Sequence, residues 1–280
     1  MSSPHSLNLA LARLTAEDAV LVTVAASRGS VPREPGAWML VFAHAVLGTI
    51  GGGHLEHEAL QLSRARLAGG LVREEVCDAQ GETCLRFVLG PSLGQCCGGE
   101  VHLRLRRVSA ADSDRLALEL QARSYPVALF GGGHVGRALV RVMGDLPFAV
   151  RWIDSRDEIF PDELPAQVMA EHSDPVQGAV PSLVPGSRVL IMSFSHAEDL
   201  DVLAACLVRQ RQQADLPFVG LIGSRTKWAT FRRRLQERGF GEQELAHVTC
   251  PIGVPGILGK QPEVIAVAVA AQLLQTLPAD

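Results

Sequence analysis

Residues 124–144 read SYPVALFGGGHVGRALVRVMG. Apolar Val127–Phe130 runs directly into Gly131-Gly132-Gly133-His134-Val135-Gly136, and an amphipathic stretch follows. This is strand, glycine turn and helix, with the spacing G-x-G-x-x-G. Glycine suits the tight backbone of such a turn. A phosphate there meets bare backbone N–H groups and the positive end of the helix dipole. FAVRWID reads as the next strand and ends at Asp154, a distance that suits an acidic group on a ribose hydroxyl. Gly131, Gly133, Gly136 and Asp154 are therefore candidate residues for binding NAD(P) or another nucleotide. The ordinary alternative is a glycine turn kept for helix–strand packing. Arg156 fits either a 2′-phosphate or open solvent.

Downstream, RVLIMSF, EDLDVLAACLVRQ, FVGLIGS and RTKWATFRRRLQERG alternate strand and helix patterns. That alternation implies a parallel sheet with helices on both faces. A Gly/Pro-rich passage, CPIGVPGILGKQPE, precedes an Ala/Val helix from Glu263 to Leu277. His196 follows a strand end, where open α/β sheets bind ligands, and is a candidate site residue; a satisfied loop histidine is the alternative. Ser224 reads as an N-cap. Arg225 and Lys227 beside it suit an anion or plain solvent equally.

Upstream the pattern is mixed. Ala19–Ala26, Ala37–Phe42 and Ala45–Ile50 read as strands. Leu55, Ala59, Leu62 and Leu67 mark a helix that Gly69-Gly70 ends. LVREEVCD, TCLRFVL and the alternating Val101, Leu103 and Leu105 read as further strands, and Asp112–Ala122 as a helix. The expected organisation is a mixed α/β domain over 1–108, a linker helix over 109–124 and a parallel-sheet domain over 125–280.

The chain has 280 residues, enough for two domains of ordinary size. Its 26 Lys+Arg against 30 Asp+Glu exclude a generally basic nucleic-acid coat and give no polybasic membrane patch. Hydrophobic residues at 47% exclude wholesale disorder. The longest apolar run, Val264 to Ala271, is far short of the ~20 residues of a membrane span. The N-terminus does not look like a signal peptide, and six Cys without an export signal imply free thiols. The expected location is the cytoplasm.

Gln95-Cys96-Cys97-Gly98-Gly99 is unusual. Adjacent thiols form no easy disulfide, and the glycines let a large ligand approach the backbone. Thiolates suit soft metals or sulfur transfer. Without CxxC spacing a structural zinc site is not expected, and small apolar filler is the usual role of such Cys. Cys77, Cys84, Cys206 and Cys250 are assigned to packing. In Ser27–Gly36, Arg28 and Arg33 stand among turn residues and can hold a phosphate by paired hydrogen bonds; a plain surface loop is the commoner reading. Gly53 and His54, which open the helix after Gly51-Gly52, are candidate cofactor-binding residues. HLEHE is not the H-E-x-x-H metal pattern, so Glu56 and Glu58 are read as first-turn acids that favour the helix dipole.

GSVPREPGA, GTIGGGHLEHEAL, LGPSLGQCCGGEV, LFGGGHVGRALV, WIDSRDEIFP, FVGLIGSRTKWATFRRRL and TCPIGVPGILGKQPEVIAVAVAAQLL together resemble the XdhC/CoxI family, in order from Gly29 to Leu274. The resemblance implies a small N-terminal XdhC/CoxI domain and a C-terminal Rossmann-type domain. It implies an accessory factor that binds the molybdenum cofactor. Such a factor holds the cofactor while a cysteine desulfurase supplies the terminal sulfido ligand, and hands it to apo-xanthine dehydrogenase. It places Cys96 or Cys97 at molybdenum or its sulfur, with Arg28, Arg33 or a glycine turn on the pterin phosphate. Two departures stand out. CoxI-type relatives carry a Cys in the loop that here reads Gly51-Gly52-Gly53-His54. Related chains often have a second His where this one has Phe194.

Two other classes remain open: an NAD(P)- or flavin-nucleotide-dependent oxidoreductase, and an interaction module whose nucleotide fold has lost its ligand. No hydride-transfer acid/base constellation is identifiable, and fold alone does not choose. The apolar closing helix offers a surface for a second copy, so a homodimer is an open expectation.

Overall fold

The structure, a computed structural model, describes residues 4–69, 83–89, 98–120 and 123–278. It divides into two compact units, Met1–Ala122 and Arg123–Asp280.

The first unit holds a five-stranded antiparallel sheet. Its strands are β1 (Ala19–Arg28), β2 (Trp38–Val41), β3 (Val46–Gly48), β4 (Thr83–Val88) and β5 (Glu100–Val108), in the order β3-β2-β1-β5-β4. Alternation along β1 sends Val20, Val22 and Val24 to one face, where Leu55 and Ala59 of α2 (Gly53–Leu67) cover them. Leu21 points the other way, toward Leu7, Ala10 and Leu14 of α1 (Pro4–Leu14). The sequence reading contains no helix there, although these three residues share one helical face. The helix expected over Asp112–Ala122 is a 3₁₀ turn, Ala110–Asp112, followed by α3 (Ser113–Glu119). Leu116 and Leu120 pack in the same cluster as α1. The strand expected over LVREEVCD, with Cys77, lies outside the described residues.

The second unit is a six-stranded parallel sheet. Its strands are β6 (Tyr125–Phe130), β7 (Phe148–Asp154), β8 (Val168–His172), β9 (Arg188–Ile191), β10 (Phe218–Leu221) and β11 (Val248–Thr249). The order is β11-β10-β9-β6-β7-β8. This is the doubly wound Rossmann order, with its switch point between β6 and β9. Strand alternation splits the core. Ala128 and Phe130 face α5 (His196–Gln213), α6 (Arg225–Glu237) and α7 (Glu242–Leu245). Val127 and Leu129 face α4 (His134–Met143) and α8 (Pro262–Gln275). β8 and β11 were not read from the sequence, being short and only half apolar. No helix among the described residues is long and apolar enough to cross a membrane.

Candidate functional site

In the first unit three loops converge. β1 pairs with β5 as far as Arg28 opposite Glu100, which brings Gly98-Gly99 beside the 28–31 turn. A Cβ on Gly99 would lie 2.5 Å from Ser30 O and 2.7 Å from Arg28 O, so glycine permits this approach. The 49–53 loop arrives from the other side: a Cβ on Gly51 would lie 2.6 Å from Pro32 Cβ and 3.2 Å from Arg33 Cγ. Thus the Arg28/Arg33 loop, the Gly53/His54 loop and the glycines that follow the thiol pair in sequence form one cluster. Cys96 and Cys97 themselves lie outside the described residues.

Arg33 Nη2 is buried and has no hydrogen-bond partner among the described residues; the Glu34 carboxylate stands 3.9 Å away. Arg28, Gly53 and His54 are exposed. His54 Nε2 stands 3.5 Å from Glu58. Glu56 is not the solvated dipole partner expected from the sequence. Its Oε2 accepts from Thr49 Oγ1 at 2.5 Å, from Gly52 N at 3.0 Å and from Ile50 N at 3.1 Å. One carboxylate oxygen therefore holds the whole 49–52 turn. The signal was the reach-back spacing of a first-turn acid onto the residues before its helix, as in a capping box.

In the second unit the glycine turn sits at the switch point. Gly131 and Gly132 are buried, while Gly133 and His134 are exposed. No side chain caps α4 at Gly133. Trp152 Nε1 donates to Gly131 O at 2.9 Å and fixes the turn from beneath. Asp154, 1% exposed, accepts four hydrogen bonds from the chain itself. These come from Gly132 N at 2.6 Å, Arg156 N at 2.9 Å, Arg156 Nε at 2.8 Å and Arg156 Nη2 at 2.9 Å. Burial pushes the Asp154 carboxyl up, but these bonds outweigh it and hold the group below the usual carboxylate range.

His196 is the exposed first residue of α5 and meets Phe231 edge-on, with ring centroids 6.1 Å apart. Ser195 caps that helix, its Oγ accepting from Glu198 N at 3.2 Å. Ser224 caps α6 as expected, its Oγ accepting from Lys227 N at 3.1 Å. Lys227 is not solvated: Nζ donates to Asp199 Oδ2 at 2.6 Å and to Ile222 O at 2.9 Å. Cys250 lies near this pair, and burial pushes its thiol up to about 11. No group of three or more metal-ligating side chains occurs among the described residues.

The XdhC Rossmann domain family matches residues 127–273, and the XdhC and CoxI family matches residues 12–76. An uncharacterized Escherichia coli K12 protein, YqeB, is 28% identical over 258 residues. That match takes in 89% of this chain but 42% of YqeB, so the chain spans about two fifths of that relative's length. A Bacillus halodurans structure described as a xanthine dehydrogenase superposes with a TM-score of 0.73 at 20% identity, over 99% of this chain and 96% of that one. At that identity the likeness bears on the fold. Two family matches in chain order, the longer covering more than half the residues, settle the kinship: the chain belongs to the XdhC and CoxI family.

Proposed function

We propose that this chain is an accessory protein for a xanthine dehydrogenase. It binds the molybdenum cofactor, holds it while a cysteine desulfurase supplies its terminal sulfur, and releases it to the apo-dehydrogenase. The cofactor is cargo in this reading. The observation that carries it is the convergence of the three first-unit loops, the central one of which holds Arg33. A buried guanidinium nitrogen without a hydrogen-bond partner is costly, and a phosphate oxygen supplies the missing acceptor. The cofactor is a pterin dithiolene with a phosphate and a soft, exchangeable metal centre. Arg33, or Arg28 on the same loop, suits the phosphate; Cys96 or Cys97 suits the molybdenum or its sulfur. Gly98, where a Cβ would meet nothing within 4 Å, leaves its backbone open to a large ligand.

The test is anaerobic incubation of the whole chain with the cofactor, followed by gel filtration and analysis for molybdenum and pterin. Retention of about one cofactor per chain is expected, from a single soft-ligand site. Cys96→Ala, Cys97→Ala and Arg33→Ala are expected to lower retention without unfolding the protein. Wild-type retention in all three would remove the site assignment. Absence of both molybdenum and pterin from the wild type would remove the function.

A further inference from the structure

In a doubly wound sheet the acid ending the second strand normally receives a ribose hydroxyl. Here that acid is Asp154, and its capacity is already used. Two carboxylate oxygens offer about four lone-pair sites, and four donors occupy them. Three of the four belong to Arg156. The guanidinium is planar, bidentate and charge-assisted, the strong form of this contact. Its Cζ lies over the Phe194 ring, 4.4 Å from the centroid. Phe194 is itself held from below, its N donating to Glu198 Oε2 at 3.0 Å.

The following segment folds onto the same end of the turn. Ile159 presses on Gly132, where an added Cβ would lie 2.6 Å from Ile159 Cγ1. Arg137 Nη2 donates to Ile159 O at 2.7 Å and ties that segment to α4. The end of the turn that would receive ribose is therefore filled by the chain, while Gly133 at the helix start faces open space.

We propose that Arg156 is a specificity-determining residue: it fills the seat an adenosine ribose needs at Asp154, and so makes the second unit refuse the NAD-type dinucleotides its fold would otherwise admit. A neutral ribose diol exchanges water for ordinary hydrogen bonds. It does not displace a bidentate ion pair backed by an aromatic ring. The inference is independent of cofactor binding by the first unit.

The experiment is calorimetric titration of the full chain with NADH, with energy transfer from Trp152 beneath the turn as a second readout. The wild type is expected to show no saturable binding. Arg156→Ala is expected to bind NADH at least about tenfold more tightly, the worth of one regained hydrogen bond to a charged carboxylate. Phe194→Ala, which removes only that ring from a 66% exposed position, is expected to give a smaller gain in a folded protein. Wild-type binding as tight as that of Arg156→Ala overturns the proposal. So does a folded Arg156→Ala with no gain. Should that variant fail to fold, Phe194→Ala decides, and the absence of any gain in it overturns the proposal too.

Discussion

Gly131 and Met192 meet backbone to backbone at the switch point of the parallel sheet. A Cβ on Gly131 would overlap the Met192 carbonyl oxygen, and Met192 N donates to Phe130 O at 2.8 Å. Gly136 is closed in the same way, because a Cβ there would run into Gly131 O. Gly133 differs: its φ is −66° and a Cβ would meet nothing within 4 Å. Two of the three fingerprint glycines are thus demanded by packing alone. Only the third leaves the backbone bare toward solvent.

Gly131→Ala and Gly136→Ala are therefore expected to destabilise the second unit by about 2–3 kcal/mol or to prevent its folding. Gly133→Ala is expected to cost about 1 kcal/mol at most, the difference between glycine and alanine at an N-cap. Urea unfolding followed by tryptophan fluorescence measures all three. A Gly136→Ala protein as stable as the wild type would contradict the closeness of the turn.

Asp199 and Lys227 form an ion pair with side chains 3% and 12% exposed. The pair also joins two loops, since Asp199 Oδ1 accepts from Ser193 N at 2.7 Å and Lys227 donates to Ile222 O. Removing one partner leaves a buried charge uncompensated, so Lys227→Met is expected to cost about 3–5 kcal/mol. The double variant Asp199→Asn/Lys227→Met is expected to recover a large part of that loss. A double-mutant cycle in urea checks it, and strict additivity of the two changes would show that the pair is not coupled.

These contrasts mark what was legible in the sequence. Strand, glycine turn, helix and strand around Asp154 announced the parallel sheet, because hydrophobic periodicity and glycine act over a few neighbouring residues. The same locality hid Lys227. Beside Arg225 at a helix start it suits an anion or solvent equally, and only the chain's return through Asp199, 28 residues away, gives it a partner. Arg156 was hidden likewise, because a Phe194 ring from another loop decides its direction. In the first unit the Arg33 loop, the Gly51 loop and Gly98-Gly99 were each readable as candidates. Their meeting depends on the β1–β5 register, which no local pattern carries.

Thiol chemistry should separate by burial. Cys206 is fully buried with its thiol pushed up to about 12, and Cys250 is half-buried with its thiol at about 11. Both groups are protonated at neutral pH, and the thiolate is the reactive form. Iodoacetamide at pH 7 is therefore expected to leave both unmodified in the folded protein, and Cys250 labelling to rise only as pH approaches 11. Peptide mass mapping reads this out. Rapid labelling of Cys250 at pH 7 would show that burial does not suppress its thiolate.

On the acid side, Glu100 bonds Arg86 Nη2 at 2.6 Å and His102 Nε2 at 2.7 Å, and the Arg86 contact leads in holding its carboxyl at about 2, against the usual 4.5. A folded value below the unfolded one means stability that is present above 4.5 and lost as pH falls toward 2. Arg86→Gln is expected to flatten that part of the first unit's stability–pH curve by lowering stability above pH 4.5, pH 7 included, and leaving it unchanged near pH 2; the loss is small because the pair is exposed. An unchanged acid slope would assign the loss to other carboxylates.

Glu56 joins the fold of the first unit to its proposed work. One oxygen collects two backbone N–H groups and a hydroxyl from the 49–52 turn, and that turn carries Gly53 and His54 and rests on Pro32 and Arg33. Glu56→Ala leaves the Ile50 and Gly52 amides without their acceptor, a loss of about 1–3 kcal/mol where they are shielded from water. Glu56→Gln keeps an acceptor oxygen and is expected to recover most of the stability. Amide hydrogen exchange at Ile50 and Gly52 should accelerate in Glu56→Ala and return toward wild type in Glu56→Gln. Cofactor retention should follow the same order, because a loosened turn no longer holds the Arg33 loop in place. Faster exchange with unchanged retention would confine Glu56 to the fold and detach the 49–54 loop from the binding site.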